Sequence, residues 1–90
     1  MQLTHVIINF RRHLKRLNYS KHTVKYYLNI IRQYVLWLDV ELELAPPEKI
    51  DLYIDHLLRK RLQPASINLY LAIIRVFYDY LKYEEKVALT

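Results

Sequence analysis

No glycine occurs anywhere in the 90 residues, and the only prolines are at 46, 47 and 64. Tight β-hairpins need residues with positive φ, usually Asn-Gly or Asp-Gly, and neither pair occurs here. The glycine loops that cradle phosphates in P-loop and dinucleotide-binding folds are excluded for the same reason. Apolar residues recur at intervals of three and four almost throughout, which is the period of an amphipathic helix. The expectation is an all-α protein of a single domain spanning residues 1–90. Its 53% apolar content suffices for one modest core.

Four helices are predicted, at about 4–17, 21–38, 47–60 and 64–83. The first is capped by Thr4 and buries Ile7, Phe10, Leu14 and Leu17. The second follows a capping Ser20 and buries Val24, Leu28, Ile31, Val35 and Leu38, with Tyr27 and Tyr34 at one edge. The acidic stretch Val40 to Pro47 is the one long loop. Pro47 and Pro64 suit first helical positions. The third helix turns Ile50, Tyr53, Ile54, Leu57 and Leu58 inward. The fourth turns Ile67, Tyr70, Leu71, Ile74, Phe77, Tyr78 and Leu81 inward, with Leu69, Ile73, Val76 and Tyr80 on its other side. So apolar a helix is either clasped on two sides or keeps an exposed strip for a partner. A short terminal turn is expected near 86–89.

Charge is unevenly distributed. Residues 1–38 hold seven basic residues and no Asp or Glu, a charge of +7. Residues 39–90 hold seven basic and nine acidic residues, a charge of −2, which together give the net +5. A basic half of this kind points to a polyanion on one side of the molecule. At 100° per residue, His22, Tyr26, Asn29 and Gln33 fall opposite the core stripe of the second helix, with Lys25 and Arg32 on its flank. Ser20, Lys21 and Thr23 sit at its N-terminus, where free amides and the dipole favour a phosphate. Lys and Arg neutralise phosphates, while Asn, Gln and Arg can read base edges. A second helix start, Gln63-Pro64-Ala65-Ser66-Ile67-Asn68, carries a similar polar set.

Catalytic chemistry finds no support. The absence of cysteine excludes disulfides and cysteine metal sites. The histidines at 5, 13, 22 and 56 lack the i, i+4 pairing of a metal-binding helix, and His5 and His13 are expected at the surface. No metal and no cofactor is expected. No apolar run approaches the ~20 residues of a membrane span. Arg11 and Arg12 follow Val6-Ile7-Ile8 where a signal peptide would have them precede it, so a cytoplasmic location is expected.

The order of residues resembles a known family. Phe10, Leu14 and Leu17 are followed by Ser20-x-x-Thr23-x-x-x-Tyr27-x-x-x-Ile31-x-x-Tyr34-x-x-Trp37-Leu38. Then come Ile50-x-x-Tyr53-Ile54-x-x-Leu57 and Pro64-x-Ser66-Ile67-Asn68-x-x-Leu71-x-x-Ile74-Arg75-x-Phe77-Tyr78-x-Tyr80-Leu81. This set, from about Val6 to Leu89, resembles the core-binding domain of tyrosine recombinases, the phage integrases and their relatives. The resemblance implies a small, SAM-like, orthogonal four-helix bundle that grips one side of a double-stranded recombination site. The second and fourth helices would lie against DNA, through Ser20, Lys21, His22, Thr23, Lys25, Tyr26 and Asn29, and through Gln63, Ala65, Ser66, Asn68 and Leu69. Arg32 joins the first group from its place on the flank.

In that family the catalytic residues, including the tyrosine that links to DNA, belong to a separate C-terminal domain. On this resemblance the chain is an excised binding domain, monomeric by itself, that meets other recombinase protomers in the full-length protein. None of its tyrosines is the nucleophile. The pattern departs from the family where a glycine commonly precedes the fourth helix, since Lys60-Arg61 stands there. Two other functions fit the sequence: a protein-interaction module using the strip Leu69, Ile73, Val76 and Tyr80, and a self-contained helix-turn-helix regulator.

Overall fold

The computed structural model describes residues 1–89. It contains four α-helices, α1 (Leu3–Arg16), α2 (Lys21–Trp37), α3 (Glu48–Arg59) and α4 (Pro64–Tyr83), with a 3₁₀ turn at Leu42–Leu44. No strand occurs among the described residues. The expected all-α bundle is therefore present, with helix ends within about two residues of those predicted from periodicity.

α4 is the hub and packs against each of the other three α-helices. Ile67, Ile74, Phe77 and Leu81 are buried on one side of it, and so are Ile73 and Tyr80 on the other. The choice left open by its composition is thus resolved: α4 is clasped on two sides. Of the strip proposed for a protein partner, Ile73 is 0% and Tyr80 7% exposed, Val76 is half-buried, and only Leu69 is open. The interaction-module expectation loses its surface.

Aromatic rings join the helices within a mainly aliphatic core. Phe10 of α1 meets Phe77 edge-on at 4.9 Å and Tyr80 at 5.1 Å. Tyr34 of α2 meets Tyr53 of α3 at 5.0 Å, and Trp37 covers Tyr53 from outside at 5.0 Å. Such pairs add stability beyond the area they bury. The Tyr34 hydroxyl is bonded to that of Tyr78 at 3.0 Å, and Tyr78 reaches the Leu42 carbonyl at 3.5 Å. This chain of groups pins the 3₁₀ turn to α2 and α4.

Several local expectations are corrected. α1 starts at Leu3 after Gln2, with no side-chain cap, so Thr4 lies inside the helix. Leu17 is exposed and Val6 is buried in the core instead. The helix ends at Arg16, so helical phase no longer applies to Leu17, and Val6, Phe10 and Leu14 form an i, i+4, i+8 row. Ile30 is fully buried because α2 packs on α1 as well as on α4. Leu58 is exposed because α3 buries only the narrower stripe of Tyr53 and Leu57, with Tyr53 against Tyr34 and Trp37 of α2. His13 is half-buried, with its ring 4.9 Å from that of Tyr80. Residues 86–89 form no turn of helix.

Three helices end without glycine by placing another residue in the left-handed region: Asn18 (φ 65°), Arg61 (φ 62°) and Lys86 (φ 55°). After α1, the Tyr19 amide bonds to the Leu14 carbonyl and the Asn18 amide to the Lys15 carbonyl. After α3, the Leu62 amide bonds to the Leu57 carbonyl and the Arg61 amide to the Leu58 carbonyl. Both are Schellman motifs, which satisfy the last carbonyls of a helix and reverse the chain. The turn before α4 therefore has the geometry that glycine would give it, with Arg61 in glycine's place.

Candidate nucleic-acid interface

The start of α2 is fixed by its own side chains. Ser20 has extended backbone angles, and its Oγ accepts from the Thr23 amide at 3.2 Å while donating to the Thr23 hydroxyl oxygen at 3.0 Å. The expected cap is present, and it orients Thr23 as well. Tyr19, positioned by the preceding turn, packs edge-on against Tyr27 at 5.5 Å, which anchors the first turns of the helix.

Beyond that anchor, Lys21, His22, Lys25, Tyr26, Asn29 and Arg32 are all exposed, and Thr23 is half-buried. His22, Lys25, Tyr26, Asn29 and Arg32 line one shallow concavity of about 410 Å³ on the outer face of α2. The helical phase predicted from sequence is thus correct along three turns, and the structure brings these five residues together. Gln33, expected on the same face, is half-buried and lies outside this concavity. No carboxylate lines it, and the two ion pairs among the described residues, Lys49 with Asp39 and the Met1 amine with Glu43, lie elsewhere.

The start of α4 carries the second set predicted from sequence. Gln63 has extended backbone angles before Pro64, but caps nothing with its side chain. Gln63, Ala65, Asn68 and Leu69 are exposed and Ser66 is half-buried. None of them lines the α2 concavity. The link between the two sets is Tyr70, one turn after Ser66. Burial raises its pKa, and the nearby hydroxyl of Tyr26 raises it further. Tyr26 is therefore both part of the exposed α2 face and a neighbour of α4.

Two features escaped the sequence. Arg11 and Lys15 of α1 line a second groove, of about 440 Å³, with Lys21, Val24, Lys25 and Leu28 of α2. Their charge was visible, but the angle that brings α1 beside α2 was not. Arg12 and Arg16, on the same helix, line instead a concavity containing Glu84 and Glu85. The second feature is Arg61, whose left-handed backbone could not be inferred from a residue type that rarely adopts it.

Comparison with known families agrees with this architecture. The family described as phage integrase, N-terminal SAM-like domain, matches residues 7–86. The chain belongs to that family, in which the domain is part of a phage integrase. Comparisons with curated proteins and with solved structures gave no match. No helix among the described residues is long and apolar enough to cross a membrane.

Proposed function

We propose that this chain is the core-binding domain of a tyrosine recombinase, and that it clamps duplex DNA for a separate catalytic domain during integration or site-specific recombination. The observation that carries this is the outer face of α2. Lys25 and Arg32 stand there, exposed and without carboxylate partners, around Asn29, His22 and Tyr26. Cations of this kind hold phosphates, and amide and imidazole groups between them can meet base edges. Ser20, Lys21 and Thr23 add the positive end of the α2 dipole. Gln63, Ala65, Ser66, Asn68 and Leu69 supply a second contact from the start of α4. Membership of the phage integrase family supports the same assignment.

On this assignment residues 1–90 work as one domain that performs no chemistry, and other protomers of the full-length recombinase are its protein partners. Its place of action is the cytoplasm, and it needs no cofactor.

The test is duplex binding followed by fluorescence anisotropy across a salt series. Six phosphate contacts predict a log–log slope of about −5. Lys25→Glu is expected to weaken binding by tenfold or more, whereas Lys82→Glu, near the end of α4, changes it little. Equal effects of the two, with both variants folded by circular dichroism, would exclude the α2 face, and a flat salt dependence would exclude phosphate clamping.

A further inference from the structure

The four cations of α1 divide between two surfaces. Arg11 and Lys15 face α2, and with Lys21 and Lys25 they line the 440 Å³ groove whose apolar floor is Val24 and Leu28. Arg12 and Arg16 face the end of α4 and share their concavity with Glu84 and Glu85. The first pair has no carboxylate in its groove, while the second pair sits among acids. Lys25 lines both the α1–α2 groove and the outer α2 concavity, so the two are continuous through one side chain.

We infer that the α1–α2 groove is a phosphate track for the backbone of the same duplex, with Arg11 and Lys15 as positioning residues that extend the clamp beyond α2. This rests on the proposed DNA-binding function and adds a division of labour to it. Four cations on two helices, around an apolar floor without amide or hydroxyl side chains, suit a chain of phosphodiesters, which Arg and Lys hold without any base contact. The neighbouring concavity, with Asn29, His22 and Tyr26, carries the groups able to discriminate. The α1 cations should thus contribute affinity equally on any duplex, and the outer α2 residues should carry what sequence preference the domain has.

Two double variants with the same change of charge on the same helix test this: Arg11→Gln with Lys15→Gln, and Arg12→Gln with Arg16→Gln. Binding is measured to a duplex that the wild-type domain selects from a randomised pool and to a scrambled one, over a salt series, after thermal unfolding shows each variant folded. Loss of two phosphate contacts predicts a slope shallower by about 1.8 and a weakening of about 60-fold at 0.1 M salt, alike on both duplexes. The Arg12/Arg16 variant is expected to stay within about threefold of wild type, because Glu84 and Glu85 already offset those charges. Equal losses in the two variants would show a response to net charge alone and overturn the inference. So would an Arg11/Lys15 variant that binds like wild type, which would leave the DNA-binding function standing. A wild-type domain that binds no duplex would overturn that function, and the track with it.

Discussion

Replacing Arg61 by glycine should make the domain more stable. Arg61 holds φ at 62°, where the Cβ of an L-residue crowds the backbone, at a cost of about 1–2 kcal/mol. Nothing in the turn depends on the side chain for its geometry. The two bonds that close it run from the Arg61 amide to Leu58 and from the Leu62 amide to Leu57, and both are backbone bonds. Glycine keeps them and removes the crowding. It also gives the unfolded chain more freedom, which offsets roughly 0.5–1 kcal/mol of the gain. The net expectation is a stabilisation of about 0.5–1 kcal/mol, or a rise in Tm of about 2–8 °C for a domain of this size.

The controls are built into the fold. Arg61→Ala removes the charge and keeps the Cβ, so no such gain is expected from it. Asn18→Gly, at the equivalent position after α1, should gain less, because asparagine tolerates the left-handed region better than arginine does. Thermal unfolding followed by circular dichroism measures all three. An Arg61→Gly variant no more stable than Arg61→Ala would refute backbone crowding as the cost of this turn. The glycine and alanine variants both lack the guanidinium just before the α4 start, so any loss of DNA affinity they share reports on charge and not on the turn.

Other consequences follow from the tyrosine chain and the α2 cap. Tyr78→Phe leaves the fully buried Tyr34 hydroxyl without its partner, at a cost of about 1–3 kcal/mol, whereas Tyr34→Phe leaves the half-buried Tyr78 hydroxyl near Leu42 and should cost only about 1 kcal/mol. Urea unfolding of the two variants decides it, and a larger loss from Tyr34→Phe would contradict the assignment. Burial holds the phenols of Tyr34 and Tyr78 above their ordinary value of 10 and pushes Tyr53 up to about 12. The folded state therefore keeps these protons more tightly than the unfolded state. The resulting stability is complete below about pH 10 and is lost as pH rises through the folded values. Unfolding midpoints that stay constant from pH 9 to about pH 12 would refute this. Ser20→Ala should cost about 1 kcal/mol by removing the acceptor of the Thr23 amide, and a Tm unchanged within error would show that the cap does not hold α2.

Periodicity made the fold legible because each helix has a coherent apolar stripe, and the prolines at 47 and 64 mark two helix starts. Errors fell where a stripe depends on its neighbours. Ile30 is buried because α2 packs on both α1 and α4, while α3, set mainly against α4 with Tyr53 reaching Tyr34 and Trp37 of α2, leaves Leu58 exposed. One chain's periodicity gives the phase of a helix, and the number of partners sets how wide its stripe must be. The outer α2 residues were legible for the same reason: phase alone put His22, Tyr26 and Asn29 together, with Lys25 and Arg32 at their side. The groove with Arg11 and Lys15 was not legible, because it is made by two helices meeting after a left-handed turn at Asn18. A helix-turn-helix regulator also fitted the sequence, and tight turns between helices do form here without glycine, on asparagine and arginine. What removes that function is the family to which the fold belongs.

Placing α4 at the centre has an electrostatic consequence. A hub helix clasped on both sides leaves the outer faces of α1 and α2 free to be cationic, because the core needs little from them. The overall extents are 34 × 29 × 18 Å, so the domain is flattened, and its charges lie within a few Debye lengths of one another at 0.1 M salt, where that length is about 10 Å. An evenly basic surface of that size would attract DNA in any orientation. Here Glu84 and Glu85 offset Arg12 and Arg16 at the α4 end, and Asp39 holds Lys49 at the loop. Arg11, Lys15, Lys21, Lys25 and Arg32 line concavities that hold no carboxylate, along the surface that runs from α1 across α2. On the proposed function, that carboxylate-free stretch steers a duplex toward α2 before any base is contacted.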